Sequence, residues 1–137
     1  VPLLLVMLVL GSPIGWSFLL FPLPVLLTAM FALGVGLIIS TFAVYFPDVA
    51  EMYQILLTAW MYLTPIIYPE EIIPERFLGL YRVNPMYWMV KLFRLPIYNG
   101  RIPGMAEILP ALAWAVGFLV IGWLFFTSKS DEYAYRV

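Results

Sequence analysis

The sequence predicts an all-α integral membrane protein, a bundle of transmembrane helices, and three observations carry that prediction. Hydrophobic residues make up 64% of the 137 residues and charged residues 11%, with a mean hydropathy of +0.99. Soluble domains run near half apolar and a quarter charged, and a soluble core of this size cannot hide so much apolar surface from water. The first charged residue is Asp48, so everything before it is uncharged, whereas one bilayer crossing needs about 20 apolar residues. Finally, the apolar runs recur along the chain, separated by breaks rich in Pro, Gly and charge.

Taken in order, 1–10 reads as the truncated end of one span. The turn formers Gly11, Ser12, Pro13 and Gly15 follow, with Trp16 suited to a membrane–water interface. A second span is expected over about 17–44, with Pro22 and Pro24 near its start, where a local kink or neighbouring helices accommodate them. A short polar connection holds Asp48 and Glu51, and a third span is expected over about 52–68, without charge. The segment 70–104 mixes charge, aromatics and Pro. It predicts two short helices, one from Pro74 to about Tyr81. The other is capped by Asn84, has Pro85 at its first helical position and ends before Asn99. The second is too short to cross a bilayer and is expected to be interfacial or re-entrant. The last span is expected over 108–127, with Pro110 in its first turn, and 128–137 is a polar tail. The chain opens at Val1 inside an apolar run, with no basic stretch of the kind a signal peptide carries. It therefore reads as the C-terminal part of a longer chain forming one transmembrane domain.

The composition also excludes function classes. Seven basic and eight acidic residues leave no basic excess for nucleic acid. Without His or Cys there is no thiol chemistry and no zinc site built on imidazole or thiolate. No phosphate-cradling GxxxxGK[ST] pattern occurs, and no charged residue lies in the middle of a span to serve as a proton relay or ion site. Asp48 with Glu51 reads as a solvated loop, with Asp48 capping the helix that follows. Ala32, Gly36 and Ser40, spaced by four, predict close helix packing, within the chain in preference to a dimer seam, and Ala113 and Gly117 predict the same in the last span. Tyr53 and Trp60 are seven apart and share a face with Leu57 and Thr64. Core packing or an interface belt explains most such aromatics; stacking on the apolar faces of sugar rings is the sharper reading. Lys91 and Arg94 share a face of the Asn84-capped helix. Snorkelling is the plain reading, and contact with lipid or substrate phosphates the functional one.

Three stretches in order carry a family resemblance: 31–40 running on to Val44-Tyr45-Phe46-Pro47-Asp48-Val49, then Trp60 to Pro69, then Asn84-Pro85-Met86 followed by Phe93-Arg94. They resemble the permease subunit of type-two ABC exporters, most closely the branch exporting O-antigen, capsule or teichoic acid. The sequence departs from that pattern at Pro47, where a basic residue is common. The resemblance implies the C-terminal half of a six-span, non-enzymatic permease in a bacterial cytoplasmic (inner) membrane. It implies a homodimer working with separate ABC ATPase subunits, which carry the ATP and Mg, so that this chain binds no cofactor itself. It places 70–104 on the outer side, as paired re-entrant helices carrying Asn84, Pro85, Lys91 and Arg94. Asp48 and Glu51 fall near the ATPase, and Tyr53 and Trp60 along the path of a glycan or lipid-linked substrate among membrane lipids. Five of the seven basic residues lie in 70–104, which the positive-inside rule alone places in the cytoplasm.

Other readings remain open from the residues. The same architecture serves exporters of drugs or lipids. Half of a secondary transporter predicts an ionisable or broken-helix site at mid-membrane, where the spans offer Gln54, Ser40, Thr41, Thr58 and Thr64. A membrane-embedded glycolipid-processing enzyme predicts clustered acids at a span end, where the candidates are Asp48 with Glu51 and Glu70 with Glu71.

Overall fold

The computed structural model describes residues 20–66, 68, 72–98 and 101–133 (backbone only at 98 and 130–133). Among these residues it is built from helices alone: α1 (Pro22–Tyr45), α2 (Val49–Leu63), α3 (Glu75–Val83), α4 (Pro85–Tyr98) and α5 (Met105–Tyr133). The expected span at 1–10, the turn formers that follow it, the start of the next span at 17, Glu70, Glu71 and Asn99 lie outside the described residues.

Helix α1 starts with Pro22 at its first position, where a missing N–H costs nothing. It ends when Phe46 turns extended while its N–H still bonds the Phe42 carbonyl at 2.9 Å. Its 24 residues and the 25 of Met105–Lys129 are long and apolar enough to cross a membrane. Helix α2 differs from expectation at both ends. It begins inside the supposed connection and stops at Leu63, and its 15 residues span roughly 22 Å at 1.5 Å each, less than the ~30 Å hydrocarbon core. Asp48 sits at its N-cap with helical backbone angles and makes no side-chain cap bond, so the expected cap is absent. Tight backbone turns start the helix instead, with Val49 N–H on Phe46 O (3.1 Å) and Met52 N–H on Asp48 O (3.1 Å).

Helix α4 forms as its cap predicts. The Asn84 carboxamide oxygen accepts the Met86 N–H at 3.0 Å, satisfying one orphan donor of the first turn. The helix is 14 residues long and carries Pro96 within it. Helix α5 is longer than expected at both ends. Glu107 accepts the Gly104 N–H at 2.8 Å, the N3 half of a capping box, and pairs with Arg101 at 2.7 Å. Pro110 therefore falls at the sixth helical position, past the first turn, and the Ala106 carbonyl lacks its helical donor. At the far end Ser128 and Lys129 continue the helix rather than opening a tail.

Helices α1 and α5 run parallel in close contact, Phe31 meeting Phe118 and, further along, Phe42 meeting Phe125. Each contributes a stripe at heptad spacing: Leu27, Phe31, Gly34 and Thr41 from α1, and Ala111, Ala115, Phe118 and Gly122 from α5. A Cβ on Gly34 would collide with the backbone of Phe118 and Leu119, and one on Gly122 with the Gly34 carbonyl. This seam corrects the small-residue expectation. Ala32, Gly36 and Ser40 are exposed, as is Ala113, and a Cβ at Gly36 or Gly117 meets nothing within 4 Å. Glycine serves where a neighbour leaves no room for Cβ, and the neighbour here lies on the other face.

Helix α2 returns antiparallel to α1, so α3 and α4 leave and rejoin the bundle at one end, between α2 and the start of α5. Helix α4 inserts into that end. Met89 and Leu92 are buried with Leu27, Phe31, Ala111 and Ala115 in one apolar cluster, and Phe93 packs edge-on against Phe21 at 5.6 Å. A helix too short to cross is thus held by core packing.

Candidate functional site

Helices α1, α2 and the start of α4 border an open cavity of about 290 Å³ lined by Thr28, Phe31, Tyr53, Leu57, Trp60, Met61, Thr64 and Met86. The shared face predicted for Tyr53, Leu57, Trp60 and Thr64 is therefore the face that looks into it. Trp60 is fixed on two sides. Its ring stands edge-on to Phe31 at 6.1 Å and 87°, and its indole N–H donates to Asn84 Oδ1 at 2.8 Å. Indole nitrogens that leave water find such acceptors. Tyr53 is half-buried and lines both this cavity and an apolar groove of about 420 Å³ with Ile39, Met52, Ile55, Leu56 and Ala59.

Asn84 ties together three residues of the cavity lining. Its oxygen takes the Trp60 indole N–H and the Met86 backbone N–H, and its amide nitrogen donates to Thr64 Oγ1 at 3.0 Å. The Thr64 hydroxyl donates in turn to the Trp60 carbonyl at 2.9 Å. Thr64 is 1% exposed and Asn84 8%, so an unpaired group in this knot would carry its full desolvation cost. Sequence reasoning found Asn84 as a helix cap; its bond to Trp60, 24 residues earlier, has no local signal.

Lys91 and Arg94 take separate roles. The Arg94 guanidinium donates to the carbonyls of Ile66 (2.8 Å) and Tyr68 (3.3 Å), pinning the chain that follows α2 to α4. Lys91 donates to the Tyr87 hydroxyl at 3.2 Å and lies 5.3 Å from that ring's centroid. Tyr68 and Tyr81 join hydroxyl to hydroxyl at 3.0 Å beside them. Asp48 and Glu51 lie at the opposite end of α2, exposed. The structure thus sets Tyr53 and Trp60 in the lining of one cavity, ties Asn84 to Trp60 with Pro85 next to it at the head of α4, and leaves the two acids apart. Among the described residues no three His, Cys, Asp or Glu side chains come together as a metal site.

Two short helices follow α2 and precede the long helix α5, in the order of elements read from the sequence. A family model described as ABC-2 type transporter matches residues 1–98. The chain belongs to the ABC-2 type transporter family. It is an all-α membrane protein of that family, whose members are permease subunits. Among curated proteins it is 32% identical over 135 residues to the O-antigen export system permease protein RfbA of Myxococcus xanthus, an alignment covering 93% of this chain and 52% of that protein. It is 31% identical over 81 residues to an RfbA of Klebsiella pneumoniae, covering 59% of this chain and 31% of that protein. The chain thus spans about half the length, or less, of the curated relatives it matches.

Proposed function

We propose that this ABC-2 type chain is part of the permease subunit of an ATP-driven exporter that moves polysaccharide, or a lipid-linked glycan or polyol phosphate, across a bacterial cytoplasmic membrane. The observation that carries the reading is the 32% identity to an O-antigen export permease, running through 93% of this chain. ATP and Mg belong to a separate ATPase subunit, and two copies of the permease form the working conduit. The chain itself does no covalent chemistry and binds no cofactor. Nucleotide on the partner biases a two-state conduit, and Asp48 with Glu51, at the start of α2, marks the end facing that partner. The capped pair α3–α4 then forms the outer end. The aromatic cavity supports a sugar-handling role, because rings present apolar faces and leave hydroxyls wet.

Deleting the permease gene in its own host tests the proposal. Surface polysaccharide is expected to disappear while the polymer accumulates inside the cytoplasmic membrane, and the full-length gene restores export. Unchanged surface polysaccharide overturns it. A lipid cargo is the second reading, favoured by the apolar groove between α1 and α2. It predicts an altered membrane lipid composition with surface polysaccharide intact.

A further inference from the structure

Helix α2 presents three faces. Tyr53, Leu57, Trp60 and Thr64 turn toward the aromatic cavity. Met52, Leu56 and Ala59 turn toward the apolar groove. Glu51, Gln54, Thr58 and Tyr62, at spacings of three and four, form a stripe whose members are all exposed. At 100° per residue this stripe is turned about 135° from the cavity face. It points away from α1, the helix against which α2 packs. Helix α2 buries none of its own residues, whereas α1 buries five. Its polar and apolar residues are also segregated, which those of α1 and α5 are not.

A carboxamide in the body of a membrane helix is costly against lipid and stays where water or a polar partner meets it. The Thr58 hydroxyl bonds the Gln54 carbonyl at 3.0 Å, while the Gln54 carboxamide has no partner among the described residues. The stripe continues beyond Tyr62, whose carbonyl accepts the Tyr68 hydroxyl at 3.2 Å, and Tyr68 meets Tyr81. A track of carboxylate, amide, hydroxyl and phenol groups thus runs about 16 Å along the helix, from Glu51 to Tyr62, and meets the tyrosine pair beyond it. From this geometry we infer that Glu51, Gln54, Thr58 and Tyr62 form the water-facing side of α2, where a hydrated, hydroxyl-rich chain slides with exchangeable hydrogen bonds. Tyr53 and Trp60 line the aromatic cavity on another face of the same helix. The inference rests on the export reading for its cargo, but not for its exposure to water.

The test places single cysteines in the full-length permease, assembled with its ATPase in native membranes. This chain has no Cys of its own; any elsewhere in the permease are replaced. Gln54→Cys and Thr58→Cys are expected to react with a small charged methanethiosulfonate about tenfold faster or more than Leu56→Cys and Ala59→Cys, because a thiol ionises in water and resists ionising among apolar groups. Reaction at both sites is expected to slow several-fold in cells making the polysaccharide, relative to cells blocked in its synthesis. Fastest reaction at Tyr53→Cys and Leu57→Cys overturns the assignment, and so does protection of Gln54→Cys and Thr58→Cys at the level of Ala59→Cys. Fast reaction that ignores polysaccharide synthesis overturns the glycan contact. The gene-deletion phenotype is scored separately, so export of another cargo is told apart from a wrongly assigned face.

Discussion

A single carboxamide at Asn84 caps α4, holds the Trp60 indole and engages the Thr64 hydroxyl. Asn84→Ala strands the Trp60 and Met86 N–H groups in a buried site and is expected to destabilise the full-length permease by about 1–3 kcal/mol. Thermal unfolding in detergent checks this, with a change in tryptophan fluorescence. Asn84→Asp keeps oxygens for both donors but buries an acid against Thr64 Oγ1 in place of a donating amide, so it is expected to rescue the cap without restoring full stability. Arg94→Ala frees the carbonyls of Ile66 and Tyr68, and proteolysis after α2 is expected to accelerate while α4 stays folded. The cap was legible in the sequence because Asn followed by Pro is a local signal for a helix start. The bonds to Trp60 and Ile66 join residues 24 and 28 apart, and no local pattern encodes them.

Between elements, the seam of α1 and α5 decides the packing. Gly34→Ala and Gly122→Ala force a methyl group into opposing backbone and are each expected to cost about 1–3 kcal/mol or more. Gly36→Ala meets open space and is expected to leave stability unchanged or raise it by up to about 1 kcal/mol through helix propensity. Detergent melting temperatures of the three variants give the comparison. The sequence showed that small residues would matter, but not which of them would. Ala32, Gly36 and Ser40 have the regular spacing, yet the facing helix selects the heptad stripe through Gly34. A partner 88 positions away makes that choice. Helix α2 starts earlier than expected because Asp48 and Glu51 look like a loop, although Glu51 is well placed in a first turn.

At the scale of the whole molecule, α2 buries none of its residues and Met52, Ile55 and Tyr62 are more than 60% exposed. Helices with few buried contacts open at low free energy. In the isolated 137-residue chain, amide exchange in α2 is expected to run well ahead of exchange in the seam of α1 and α5. In the assembled full-length permease it is expected to slow markedly. Equal exchange in both settings would mean that nothing further packs against α2. Composition alone made the membrane class legible, since it reports the solvent of the surface. It does not report which polar side chain faces water, because that depends on where the neighbouring helix stands.

The glycine contact between α1 and α5 has a mechanical consequence. Backbone lies directly on backbone there, with no cushion of flexible side chains to absorb a load. Two helices joined in that way behave as one strut, with α4 wedged into one end. Such a strut does not bend to let a bulky chain past. The freedom to widen a passage falls to α2, which leans on the strut along one side and is tied to α4 at one end through the Asn84 knot and Arg94.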